Sequence, residues 1–243
     1  KRVLALAMAV ILSVPTIITT GMGTVPVKAA GDTVELTVSS ESAKYAGYET
    51  RKMYAGGNYA YCVQPSKKTP KSGTYEKHYD VENYVSNAGD ETQAVQSRNL
   101  AYYCWGAPGF NASYFPSTWY DGSAMDDDKY IALSHIMLSF LVSYDEVGSM
   151  HGCNSSFKNW VYQNVLGYNA NGDLVNGQAT LPILCWATAP ASFKVYILST
   201  GSATQNILGY EYTPTGTVSL SKTSANTGIT SGNSCYSLAG AVY

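Results

Sequence analysis

Two side chains in this sequence could do chemistry together. Cys62 lies in Tyr61-Cys62-Val63-Gln64-Pro65, where a strand-like run gives way to a loop, a position from which a thiol can act as a nucleophile. His135 lies in Tyr130-Ile131-Ala132-Leu133-Ser134-His135-Ile136-Met137-Leu138, with apolar residues on every side. An unpaired cysteine is most often a buried, inert hydrophobe, and a mid-helix histidine most often a hydrogen-bonded core residue. If the two face each other, the imidazole would lower the thiol pKa and stabilise a thiolate, giving a catalytic pair. The other cysteines are Cys104, Cys153, Cys185 and Cys235, an odd total of five that leaves at least one thiol free or paired with another chain. Cys104, Cys153 and Cys185 could supply one disulfide, with buried free thiols as the alternative. No cysteine or histidine has zinc-finger spacing, and His78, His135 and His151 are far apart, so neither a metal nor another cofactor is expected. Trp105, Trp119 and Tyr120 flank or fall in an aromatic-rich loop from Gly106 to Gly122, which offers either a ring surface for stacking a glycan or ordinary packing.

The elements that must position these residues follow from periodicity. Thr33 to Ser39 alternates as a strand, and Tyr45–Tyr54 with Asn58–Gln64 reads as a hairpin around Gly56-Gly57. A polar loop is expected from Pro65 to about Asp90. Asp90-Glu91-Thr92-Gln93 has the form of a capping box opening a helix that runs to about Cys104. Asp126-Asp127-Asp128 puts carboxylates at the start of a second helix, to about Tyr144, that is apolar nearly all round and therefore buried. A shorter amphipathic helix carries Phe157, Trp160, Val161 and Val165 on one face. Strands are then expected at Leu181–Ala187, Phe193–Leu198 and Gln205–Tyr212. Strands, helices, then strands indicate an α+β fold: a β-barrel or β-sandwich framework with an inserted helical subdomain.

The 243 residues carry 15 Lys and Arg against 17 Asp and Glu, so no basic surplus exists to hold a nucleic acid. Charged residues are only 13 % of the chain, and 21 Tyr with 22 Gly take their place, a composition that suits an extracellular β-rich protein. Lys1 and Arg2, the apolar run Val3–Leu12 and Val27-Lys28-Ala29 read as a signal peptide over residues 1–29. The apolar run is about half the length needed to span a bilayer, so no membrane span is expected in the mature chain. At Thr213-Pro214 the composition shifts, and residues 214–243 read as the first strands of a truncated all-β, immunoglobulin-like domain.

Taken in order, several segments resemble the thioester domains of Gram-positive cell-surface adhesins. They are Tyr61-Cys62-Val63, the helix end Leu100-Ala101-Tyr102-Tyr103-Cys104-Trp105-Gly106, the buried helix Tyr130–Leu138, and the strands Phe193–Tyr196 and Gln205–Leu208. In that family the cysteine at the Cys62 position is joined to a glutamine side chain on the buried helix as an internal thioester, which an amine on a host protein opens to leave a covalent attachment. The resemblance implies such a domain over residues 30–213. The family's Ser-Gln or Thr-Gln pair on the buried helix aligns with Ser134-His135, and a histidine has no carboxamide to acylate. Gln64 is too near Cys62 along an extended strand, and Gln93, Gln96, Gln163, Gln178 and Gln205 lie off that helix. The tail resembles the first strands of prealbumin-like stalk repeats, in which the lysine at the Lys222 position often forms an isopeptide bond.

The expectation is therefore a secreted, cell-wall-anchored adhesin tip, part of a longer chain, whose partner is a host or extracellular-matrix protein reached through an amine side chain. With His135 at the glutamine position, attachment is either non-covalent or carried by a Cys62–His135 thiol–imidazole pair. The alternatives from other classes are a thiol-dependent acyltransferase or cysteine peptidase using Cys62 and His135, and a carbohydrate-binding module using the Trp105, Trp119 and Tyr120 surface.

Overall fold

The computed structural model describes residues 32–174 and 179–214. The expectations for the signal peptide, Gln178, the stalk strands with Lys222, and Cys235 lie outside them.

Six antiparallel strands close into a barrel in the order β1-β2-β3-β6-β5-β4. They are β1 (Thr33–Tyr45), β2 (Tyr48–Ala55), β3 (Asn58–Cys62), β4 (Gly73–His78), β5 (Phe193–Leu198) and β6 (Ile207–Tyr212). The β2–β3 turn falls on Gly56 and Gly57, with φ of 58° and 85°. Those values suit the two-residue hairpin turn that glycine favours. β4 occupies part of the stretch expected to be loop; its residues, Gly-Thr-Tyr-Glu-Lys-His, alternate too weakly to announce a strand, and pairing with β1 and β5 supplies the order.

The five α-helices of the described residues lie between β4 and β5 in the chain: α1 (Glu91–Tyr103), α2 (Asp127–Ser143), α3 (Glu146–Ser149), α4 (Ser155–Val161) and α5 (Thr180–Leu184). Asp90 caps α1 by accepting from the Gln93 N–H at 2.9 Å. The reciprocal half of the box is not made: the Gln93 side chain instead accepts from the Asn87 N–H at 3.3 Å and donates to the Leu141 carbonyl at 2.6 Å, tying α1 to α2. Asp126 caps α2 in the same way, accepting from the Lys129 N–H at 3.0 Å. The expected strand Leu181–Ala187 is wrong: α5 opens there, because Leu181 and Leu184, at helical spacing, both reach the core while Ile183 faces out.

The strands sort their side chains by alternation. Tyr59, Tyr61 and Val63, Phe193, Val195 and Ile197, and Leu208 and Tyr210 face the helices in one large core. Ala60, Cys62, Tyr196, Leu198 and Ile207 face the other way, with Leu36, Met53 and Ala55, in a second cluster that barrel closure turns inward. Gly209 is required there, because a Cβ would stand 2.5 Å from the Tyr196 ring. α2 is buried along nearly its whole length, as its sequence implies. Its polar residues are consequently partnered: Ser134 Oγ accepts from the Trp105 N–H at 2.9 Å, and Ser139 Oγ meets Ser149 Oγ at 2.8 Å.

Candidate functional site

Cys62 is the last residue of β3 and is 3 % exposed. It stands opposite Ile207 of β6, and the ladder runs one residue further, with the Val63 N–H donating to the Asn206 carbonyl at 3.1 Å. Residues directly opposite one another project to the same face, and so do residues two apart on one strand. Gln205, two before Ile207, therefore shares the face of Cys62 as its diagonal neighbour, a separation that a long side chain spans.

Gln205 is 6 % exposed and held at both ends. Its N–H donates to the Lys68 carbonyl at 3.0 Å, and its Nε2 donates to the Lys67 carbonyl at 2.9 Å. Its Oε1 is buried with no hydrogen-bond partner. The other glutamines near the core are spoken for: Gln93 uses both ends of its amide, and Gln64 Oε1 accepts from the Asn206 N–H at 3.2 Å. Gln205 lies off the buried helix, as the sequence implies, and the pairing of β3 with β6 places it on the face of Cys62. Thr204-Gln205-Asn206 directly before the apolar start of β6 was the signal available, but its meaning depends on which strand lies alongside.

His135 is 4 % exposed, at the middle of α2. Its imidazole lies beside the Cys62 backbone rather than the thiol, so helix and strand end meet through the main chain. Its Nε2 is buried with no hydrogen-bond partner. His135 and Gln205 line one cavity of about 130 Å³, walled also by Ser42, Glu49, Arg51 and Met53. Met53 carries the wall into the cluster that holds Cys62. A polar cavity of that volume has room for a few waters or one small ligand group.

Burial decides the protonation states. It pushes the Cys62 thiol well above its usual pKa, only partly offset by a hydrogen bond from the Gln64 backbone. It lowers His135 to about 4, against the upward pull of the Cys62 backbone beside it. A neutral thiol beside a neutral imidazole is the reverse of the thiolate–imidazolium pair a cysteine peptidase uses.

The chain leaving Cys62 is fastened to the end of α2. Ser143 Oγ donates to the Val63 carbonyl, Ser66 Oγ to an Asp145 carboxylate oxygen, and the Ser66 N–H to the other oxygen at 2.8 Å. The remaining described cysteines, Cys104, Cys153 and Cys185, are buried free thiols. Among the described residues, no group of three His, Cys, Asp or Glu could hold a metal ion.

Trp105, Trp119 and Tyr120 do not form one exposed platform. Trp119 is 4 % exposed and packs on Phe157 and Trp160, while the Tyr120 hydroxyl accepts from Asn154 Nδ2 at 3.2 Å. Trp105 is half-buried, set edge-on to Tyr59 with its Nε1 donating to Asp127 at 3.2 Å.

A thiol and a carboxamide are the two groups an internal acyl cross-link joins, and here both are buried on one face of the β3–β6 pair. A family model described as a thioester domain matches residues 33–171, more than half of the 243, and the chain belongs to that family. The match includes Cys62 and His135 and ends before Gln205. No curated protein and no solved structure matches the chain. Thioester domains occur in cell-surface adhesins, and no helix among the described residues is long and apolar enough to cross a membrane.

Proposed function

We propose that this domain attaches covalently to a partner through an internal thioester between Cys62 Sγ and the side-chain carbonyl carbon of Gln205. The observation that carries the reading is Gln205 itself: buried, on the face of Cys62, with an unpartnered carbonyl oxygen at a small polar cavity. In formation, the Sγ–Cδ bond forms, the Cδ–Nε2 bond breaks, and ammonia leaves with the thiol proton. In attachment, an amine nitrogen bonds to Cδ, the Cδ–Sγ bond breaks, and the amine's proton returns to the sulfur. A thioester survives only while water is kept from it, and the burial of both residues supports that role.

The partner is a host or extracellular-matrix protein presenting an amine, and the chain is a surface adhesin displayed on a cell-wall-anchored stalk. The family assignment supports adhesion, and the thioester chemistry supports an amine-bearing partner. His135 lines the site beside this bond and is not the acyl donor.

The test is the denatured intact mass of the purified chain, with and without methylamine. A wild-type mass lower than calculated by one ammonia, and a methylamine adduct that localises to Gln205 and disappears in Cys62→Ala, is the expected result. An unmodified mass with Cys62 alkylating as a free thiol overturns the reading.

A further inference from the structure

Resting on that thioester, we infer that His135 acts as a catalytic base that lets this site accept a hydroxyl as well as an amine, so that attachment through an ester becomes available. His135 Nε2 and Gln205 Oε1 are both buried without a hydrogen-bond partner, and their residues line the same cavity of about 130 Å³. A buried polar atom left unpaired costs on the order of 1–3 kcal/mol, so two at one small site call for a function.

The neutral ring supplies it. A neutral imidazole carries its proton on one nitrogen and a bare lone pair on the other, and His135 lines the cavity it shares with Gln205. Burial keeps the ring neutral near pH 7, so the lone pair is available.

An uncharged amine attacks a thioester unaided, whereas a hydroxyl is a poor nucleophile until a base draws off its proton. In the step, the hydroxyl oxygen bonds to Cδ of residue 205 and the Cδ–Sγ bond breaks. The hydroxyl proton passes to the bare ring nitrogen of His135 and from there to the departing Cys62 sulfur. The products are an ester and a free thiol, with nothing oxidised or reduced. A glutamine at position 135 would offer no such lone pair.

The experiment uses the purified chain, wild type and the variants His135→Gln and His135→Asn, with glycerol and methylamine at equal concentration and intact mass as the readout. Loss of one ammonia from the starting mass certifies, in each variant, that the site has assembled. The expected result is both ester and amide from wild type, and an ester-to-amide ratio about a hundredfold lower in the variants, the low end of what a positioned base contributes. Two results overturn the inference with the thioester still standing: a wild type that forms the amide and no ester, or variants with the wild-type ratio. A wild-type mass without the ammonia loss, and with no methylamine adduct, overturns the thioester reading as well and is told apart by that signature.

Discussion

The Val63 N–H donates to the Asn206 carbonyl at 3.1 Å, joining the residue after Cys62 to the residue after Gln205. This single bond continues the β3–β6 ladder past the end of β3 and fixes the register in which thiol and carboxamide share a face. Gln205→Ala is therefore expected to abolish the ammonia loss and the methylamine adduct. In the cross-linked chain Nε2 has already left as ammonia, so the variant loses the covalent link across the loop from Cys62, and stability read by urea unfolding falls by about 5 kcal/mol. Gln93→Ala is the control. It keeps the ammonia loss and destabilises for a different reason, because the Leu141 carbonyl and Asn87 N–H both lose their partner.

Asp145 controls the loop after Cys62 through its two bonds to Ser66. Gly148 leaves room for that contact: a Cβ there would lie 2.6 Å from the Ser66 backbone nitrogen and 2.9 Å from Asp145 Oδ1. Gly148→Ala is expected to push the loop away, lowering Tm and the fraction of molecules that carry the ammonia loss. An unaltered fraction would show that the loop's attachment to the end of α2 is not what aligns the two groups.

The pH dependence of stability follows from His135. Its pKa moves from 6.5 in the unfolded chain to about 4 in the fold, because burial opposes the charge. Between those values the unfolded chain binds a proton that the folded chain does not, so stability rises with pH across this window. Above about 6.5 the group contributes no slope, and below about 4 both states are protonated and the effect levels off. The expected loss from pH 6.5 down to 4 is about 3 kcal/mol. His135→Gln should remove that component from unfolding curves recorded across the same window.

Trp119 answers to packing. Enclosed by Phe157, Trp160 and Tyr120, it should cost about 3–5 kcal/mol when replaced by alanine. Thermal unfolding reads this directly, and a near-neutral Trp119→Ala would return the ring to the status of a ligand-stacking surface.

Much of this arrangement was legible in the sequence because its causes are local. The Gly56-Gly57 turn, the Asp90 and Asp126 caps and the apolar run of α2 each announce an element within a few residues. Cys62 at a strand end and His135 on a buried helix were readable for the same reason. Gln205 was not, because its role is a matter of pairing: 143 positions separate it from Cys62, and only the closure of β3 against β6 brings the two together. Leu181–Leu184 failed differently, since a four-residue apolar run fits a strand or a buried helical turn equally well.

The placement of Gln205 just before β6 has a mechanical consequence. A partner joined to its side chain would pull on the chain seven residues before Tyr212, the end of β6. Tension directed toward the C-terminal side would travel along that one strand, without passing through α1 to α5 or through β1 to β4. β6 is hydrogen-bonded along its flanks to β3 and β5. A load applied between Gln205 and Tyr212 is carried by the covalent backbone of the strand itself, so the tether would hold where the helical part of the domain yields.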